Sequence, residues 1–131
     1  MPGYNVSRIA EVLNERGLPI LGTEILGVGI AYKPGIADDR ESASLEVLRD
    51  LVKRGGRVSV LDPVVGEDRI RFHGFEPVNE SDDLTRFQIA VVLTDHPHVD
   101  YESLAKQIPV VYDARGVFRR LGVNAPNVVP L

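Results

Sequence analysis

Cysteine is absent from this sequence of 131 residues. That excludes a disulfide framework, a thiolate metal site and a cysteine nucleophile. Long apolar runs are absent as well; none approaches the ~20 residues that a membrane-spanning helix needs. There is no excess of positive charge. Lys and Arg number 15 against 19 Asp and Glu, for a formal net charge of -4. A broad basic footprint for nucleic acid is therefore not expected, although a local basic cluster still suits a phosphate-bearing small molecule. The opening Met1-Pro2-Gly3-Tyr4 carries neither the basic nor the apolar stretch of a secretory leader, so a cytoplasmic protein is expected. Internal repeats and low-complexity tracts are missing too.

What is present describes one globular domain. Hydrophobic residues make up 44% and charged residues 26% of the chain, enough to close a single core at this length. Val6, Ile9 and Leu13 recur at helical spacing and predict a helix over residues 5–15, with Asn5 or Ser7 as its cap and Gly17 as its stop. Residues 18–23 read as a linker. Residues 25–32 are almost wholly apolar and end at Pro34-Gly35, the pattern of a strand buried on both faces. Leu45, Leu48, Leu51 and Val52 mark a helix ended by Gly55-Gly56, and residues 57–61 a second strand stopped by Asp62-Pro63.

Beyond residue 64 the pattern weakens. Phe72, Phe75 and Val78 suggest a short strand, and Ser81-Asp82-Asp83-Leu84 a helix start. Residues 89–94 predict a third clear strand, 101–107 a short helix and 110–112 a fourth strand, with an extended tail from Gly116. Strands alternating with helices imply right-handed parallel crossovers. The expected fold is α/β: a three-layer, Rossmann-like open parallel sheet with helices on both faces.

In such sheets ligands bind beyond the carboxyl ends of the strands. Those ends carry Tyr32, Lys33, Asp38, Asp39 and Arg40, then Asp62, then Thr94, Asp95, His96 and His98, then Asp113 and Arg115. Lys33, Arg40 and Arg115 converge on one edge and suit an anion such as a pyrophosphate. Pairing of Arg40 with Asp38 or Asp39, with the other charges solvated, is the plainer account of the same residues. Gly27-Val28-Gly29 matches the dinucleotide fingerprint poorly, because Tyr32 falls where the third glycine belongs. Close packing of helix on strand is the expected use of Gly27 and Gly29. His96-Pro97-His98 lacks the further clustered ligands of a metal site, and none is expected. Asp62-Pro63 reads as a strand-ending turn.

Taken together, Gly29-Ile30-Ala31-Tyr32-Lys33, Asp38-Asp39-Arg40-Glu41-Ser42, Gly55-Gly56-Arg57-Val58 and Asp62-Pro63 resemble the C-terminal domain of the UDP-glucose/GDP-mannose dehydrogenase family. The opening Met1-Pro2-Gly3-Tyr4 with Leu13-Asn14 resembles the end of that family's central dimerisation helix. It is most similar to members acting on UDP-N-acetylmannosamine or UDP-N-acetylglucosamine. The resemblance implies a division into residues 1–17, the tail of that helix, and residues 18–131, a nucleotide-sugar-binding domain. It also implies an enzyme that oxidises the C6 alcohol of a UDP-sugar to a carboxylate in two NAD-dependent steps, with NAD held mainly by an N-terminal domain. Tyr32, Lys33 and Arg115 match substrate-binding positions, and Arg40 matches an arginine that reaches NAD. Ala43 departs from the family pattern, which has proline after the Glu-Ser pair.

No residue here carries a catalytic role, since the family's catalytic cysteine, catalytic lysine and glycine-rich NAD fingerprint lie in other domains. The chain is thus expected to be a fragment that does not turn over alone, of an enzyme that is a homodimer at full length. The alternatives are a free-standing, non-catalytic nucleotide-binding module, and an interaction domain whose strand-end charges are merely solvated.

Overall fold

The computed structural model describes residues 2–31 and 42–131. The chain begins with helix α1 (Pro2–Glu15), followed by strand β1 (Glu24–Val28), helix α2 (Ala43–Lys53) and strand β2 (Arg57–Leu61). Helix α3 (Glu67–Phe72), the two-residue strand β3 (Glu76–Pro77), strand β4 (Ile89–Val92), helix α4 (Tyr101–Gln107) and strand β5 (Val111–Asp113) come next. Helix α5 (Val117–Leu121) and strand β6 (Val128–Pro130) close the chain. All pairings are parallel. The six strands lie in the order β3-β2-β1-β4-β5-β6. The chain therefore winds outward from β1 in one direction, then returns to β4 and winds outward in the other. The expected open parallel α/β sheet is the fold that forms.

Strand alternation sorts the core into two layers. Ile25, Ile89 and Val91 point to the face covered by α1 and α2, which contribute Val6, Ile9, Leu13, Leu45, Leu48 and Leu51. Leu26, Val28, Ala90 and Val92 point to the opposite face, covered by Tyr101, Leu104 and Ile108 of the α4 region and by Val117 and Phe118 of α5. The central strands are buried on both sides, which is why their sequences read as continuous apolar runs rather than alternating ones. Helix α1 is part of this core; Tyr112 of β5, itself fully buried, donates a hydrogen bond from its hydroxyl to Asn5 Oδ1 at 2.8 Å.

Two glycines let α2 and the β4 exit approach β1. At Gly27 an added Cβ would lie 2.8 Å from Leu48 Cδ2. At Gly29, where φ is +91°, an added Cβ would lie 2.5 Å from Thr94 Cβ. Gly27 serves the helix-on-strand packing expected of it, whereas Gly29 packs against the exit of β4 rather than a helix.

Four expectations need correction. Helix α1 begins at Pro2, so Asn5 and Ser7 lie within it and neither is its cap. No helix starts at Ser81. Asp82 Oδ2 accepts from Asn79 N and Asp83 Oδ1 from Thr85 N, while Leu84 N donates to Gln107 Oε1. These side chains hold the local backbone in turns, in competition with a helix. Phe72, expected in a strand, ends α3 and is exposed. That helix hid from periodicity because it buries only Ile70. Its charges nonetheless follow the helix dipole, with Glu67 and Asp68 in the first turn and Arg69 and Arg71 in the last. The tail is not simply extended, since it forms α5 before adding β6 to the edge of the sheet.

Candidate functional site

The winding direction reverses between β1 and β4, and connections leaving a parallel sheet to opposite faces open a crevice at that point. A cleft of about 300 Å³ lies there. Ala31 beyond β1, Ser44 in the first turn of α2, Thr94 beyond β4, Arg115 beyond β5 and Asn5 of α1 are among the residues that line it. Arg115 is the cationic side chain among its described lining residues. A larger hollow of about 630 Å³, lined by α4 and residues 121–127, includes none of the residues that line the first cleft.

Each wall has a local cause. Helix α2 starts cleanly because Ser42 Oγ accepts from Ser44 N at 3.1 Å. The start of this helix, with its positive end of the backbone dipole, forms one side of the cleft. Arg115 stands in a turn that Asp113 organises: Asp113 Oδ1 accepts from Arg115 N at 3.1 Å and Oδ2 from Phe118 N at 3.0 Å. The carbonyl of Arg115 accepts from Arg120 Nη2, and Arg120 pairs with Asp95, so the arginine's backbone is tied to the β4 exit as well. Thr94 donates from Oγ1 to Ala31 O at 3.0 Å and lies 3.3 Å from Ser44 Oγ. That contact joins the three walls nearest β1, β4 and α2.

Asp62, not among the cleft's lining residues, is buried. Its Oδ2 accepts from Ile30 N at 2.8 Å and Ala31 N at 3.2 Å, and lies 3.0 Å from His96 Nε2. Its Oδ1 accepts from Val64 N and Val65 N. Burial acts to raise this carboxyl. Hydrogen bonds from His96, Val65 and Ile30 outweigh burial, with a smaller charge attraction to His96, and hold it below the ordinary carboxylate range. The strand-ending turn expected at Asp62-Pro63 is real, but the aspartate also reaches across to β1 and to the β4 exit. Sequence spacing offered no sign of this, because the partners lie 31, 32 and 34 positions away.

The predicted site residues divide into two groups. Arg115 lines the cleft. Tyr32, Lys33 and Arg40, with Asp38 and Asp39, lie outside the described residues. His96 and His98 do not act together: His96 is fully buried against Asp62, while His98 lines a separate hollow with Glu80, Asp100 and Ser103. Among the described residues no three His, Asp or Glu side chains are gathered as metal ligands. Leu48 and Thr94 fill the space beside Gly27 and Gly29, where the sequence matches the dinucleotide fingerprint poorly. No helix among the described residues is long and apolar enough to cross a membrane.

Known proteins share this arrangement of sequence and fold. Residues 26–120 match the model of the UDP-glucose/GDP-mannose dehydrogenase family, UDP binding domain. An NDP-N-acetyl-D-galactosaminuronic acid dehydrogenase of Ralstonia solanacearum is 30% identical over 121 residues, covering 89% of this chain and 27% of the relative. A UDP-glucose 6-dehydrogenase of Haloferax volcanii is 30% identical over 128 residues, covering 93% of this chain and 30% of the relative. The solved structure of a UDP-glucose dehydrogenase from Pyrobaculum islandicum superposes with a TM-score of 0.74 at 32% identity, over 97% of this chain and 28% of that one. The chain therefore spans less than a third of the length of these relatives.

Proposed function

Because this chain belongs to the UDP-glucose/GDP-mannose dehydrogenase family, as its UDP-binding domain, we propose that the cleft between β1 and β4 holds the nucleotide end of a UDP-sugar. One observation carries the reading: Arg115 and the N-terminal turn of the 11-residue helix α2 line the same cleft at the reversal of the sheet. A guanidinium and a helix N-terminus both favour a diphosphate, the first through forked donors and the second through its dipole. Ser44 and Thr94 add hydroxyls for orientation.

Tyr32 and Lys33 complete this proposal as further substrate contacts, and Arg40 as a residue facing NAD. The reaction proposed for the full-length enzyme is oxidation of the sugar C6 alcohol to a carboxylate, with NAD as the hydride acceptor in both steps. In this reading the dinucleotide is held mainly by another part of that enzyme. A cysteine nucleophile must come from elsewhere too, because this chain has none. The chain then acts as one wall of an active site and does not turn over substrate alone.

Residues 1–17 are proposed as the end of a central dimerisation helix and residues 18–131 as the nucleotide domain. Val6, Ile9, Val12 and Leu13 dock that helix end into the same core as α2. Assembly through the rest of such a helix makes a homodimer the expected state of the full-length enzyme. A non-catalytic binding module is the second reading, favoured by the absence of cysteine.

Titration calorimetry with UDP tests the site. The wild-type chain should bind UDP, and Arg115→Ala and Lys33→Ala should bind it more weakly. Equal binding by all three would reject this placement of the nucleotide. Reduction of NAD by the 131-residue chain with any UDP-sugar would reject the dependence on a second part.

A further inference from the structure

We infer that Asp62, backed by His96, is a positioning residue for nucleotide binding, setting the wall of the cleft formed by Ala31 and Thr94. The inference rests on the nucleotide reading of that cleft. Asp62 follows Leu61 at the end of β2, the strand beside β1, and is not among the cleft's lining residues. A turn-capping aspartate at this point needs only its contacts to Val64 N and Val65 N, at 3.0 and 2.9 Å, and Oδ1 makes both. The second oxygen is turned to β1 instead. It accepts from Ile30 N and Ala31 N, at 2.8 and 3.2 Å, where the chain has left the β-ladder.

His96 supports the same oxygen. An ionised carboxylate only accepts, so the imidazole Nε2, 3.0 Å away, carries the proton it donates. The His96 backbone is itself fixed: its N–H donates to Tyr101 Oη at 3.0 Å, and that hydroxyl donates back to His96 O at 3.1 Å. Ala31 is thereby held at both ends, by Asp62 at its N–H and by Thr94 Oγ1 at its carbonyl. Thr94 in turn meets Ser44 in the first turn of α2. A continuous path of hydrogen bonds thus runs from the buried Asp62–His96 contact to three lining residues, and such supporting groups hold binding geometry to fractions of an ångström.

The test is UDP affinity of the 131-residue chain by calorimetry, at a temperature where each variant is folded. Asp62→Asn places an amide donor against backbone donors, and His96→Leu removes the imidazole donor. Each should weaken UDP about tenfold. His96→Gln restores a donor near the position of Nε2 and should stay within about threefold of wild type. Amide exchange at Ile30 and Ala31 should quicken in the first two variants and not in the third. Unchanged UDP affinity in folded Asp62→Asn or His96→Leu, alongside a lowered melting temperature, would overturn the inference and leave Asp62 a purely structural cap. Should Asp62→Asn not fold, the contrast between His96→Leu and His96→Gln decides: separation supports positioning, and equal affinities reject it. Wild-type chain that fails to bind millimolar UDP would instead overturn the nucleotide reading, and this inference with it.

Discussion

The Nε2 atom of His96 stands 3.0 Å from Oδ2 of Asp62, and neither side chain is exposed to solvent. This pair ties the end of β2 to the exit of β4, while the same carboxylate holds the two residues that follow Gly29 beyond β1. Three consecutive strand ends in the sheet order are therefore joined at one buried oxygen atom.

The stability of the chain should report that carboxylate. A folded-state pKa below the unfolded value contributes stability that is present above the unfolded pKa and lost as pH falls through the folded one. Asp62→Asn is expected to cost about 3 kcal/mol at pH 7, the size of a broken buried pair. The gap between wild type and variant should hold from neutral pH to about 4 and shrink below the ordinary value of 3.8. Denaturant midpoints measured between pH 7 and pH 3 check this, and a gap that widens on acidification would contradict it.

Tyr101 should show the mirror-image behaviour. Burial pushes its phenol up to about 12 from an ordinary 10.0, against the hydrogen bond at His96. A raised folded pKa gives stability that is complete below the unfolded value and lost as pH rises toward the folded one. Tyr101→Phe leaves the buried His96 N–H without its acceptor and should cost about 2 kcal/mol at pH 8. That difference should narrow at pH 11, as read from urea unfolding of both proteins.

The two packing glycines should differ in their tolerance of a methyl group. Gly29→Ala meets a positive φ as well as Thr94 Cβ and Thr94 O, and should lose about 3 kcal/mol or more. Gly27→Ala meets the far end of the flexible Leu48 side chain, in a backbone conformation open to any residue. A loss of about 1–2 kcal/mol is expected there. Thermal unfolding of the two variants side by side gives the order, and equal losses would show that backbone conformation at Gly29 is unimportant.

Arg115 should separate binding from stability. Its side chain is exposed, and the turn that carries it is held by backbone contacts to Asp113. Arg115→Ala should shift stability by no more than about 0.5 kcal/mol. UDP affinity should nonetheless fall about tenfold, the scale of a lost charge-assisted contact to phosphate. A parallel loss of stability and affinity would point to a structural role instead.

The sequence by itself determined the parallel α/β class and most central elements. The reason is local: β1 and β4 are buried on both faces and so read as short apolar runs, and α2 carries a clear apolar stripe before Gly55-Gly56. Helix α3 escaped that reading because it buries one residue, and Ser81 mimicked a cap where Asp82 and Asp83 instead hold turns. Arg115 was visible as a strand-end cation because its position after β5 could be read from the strand pattern, and the structure places it at the cleft. What only the tertiary structure decided is the reversal between β1 and β4, the cleft it opens, and the path from Asp62 through Ala31 and Thr94 to Ser44. Those contacts join residues up to 63 positions apart, and no local preference in the chain specifies which strand ends come to lie side by side.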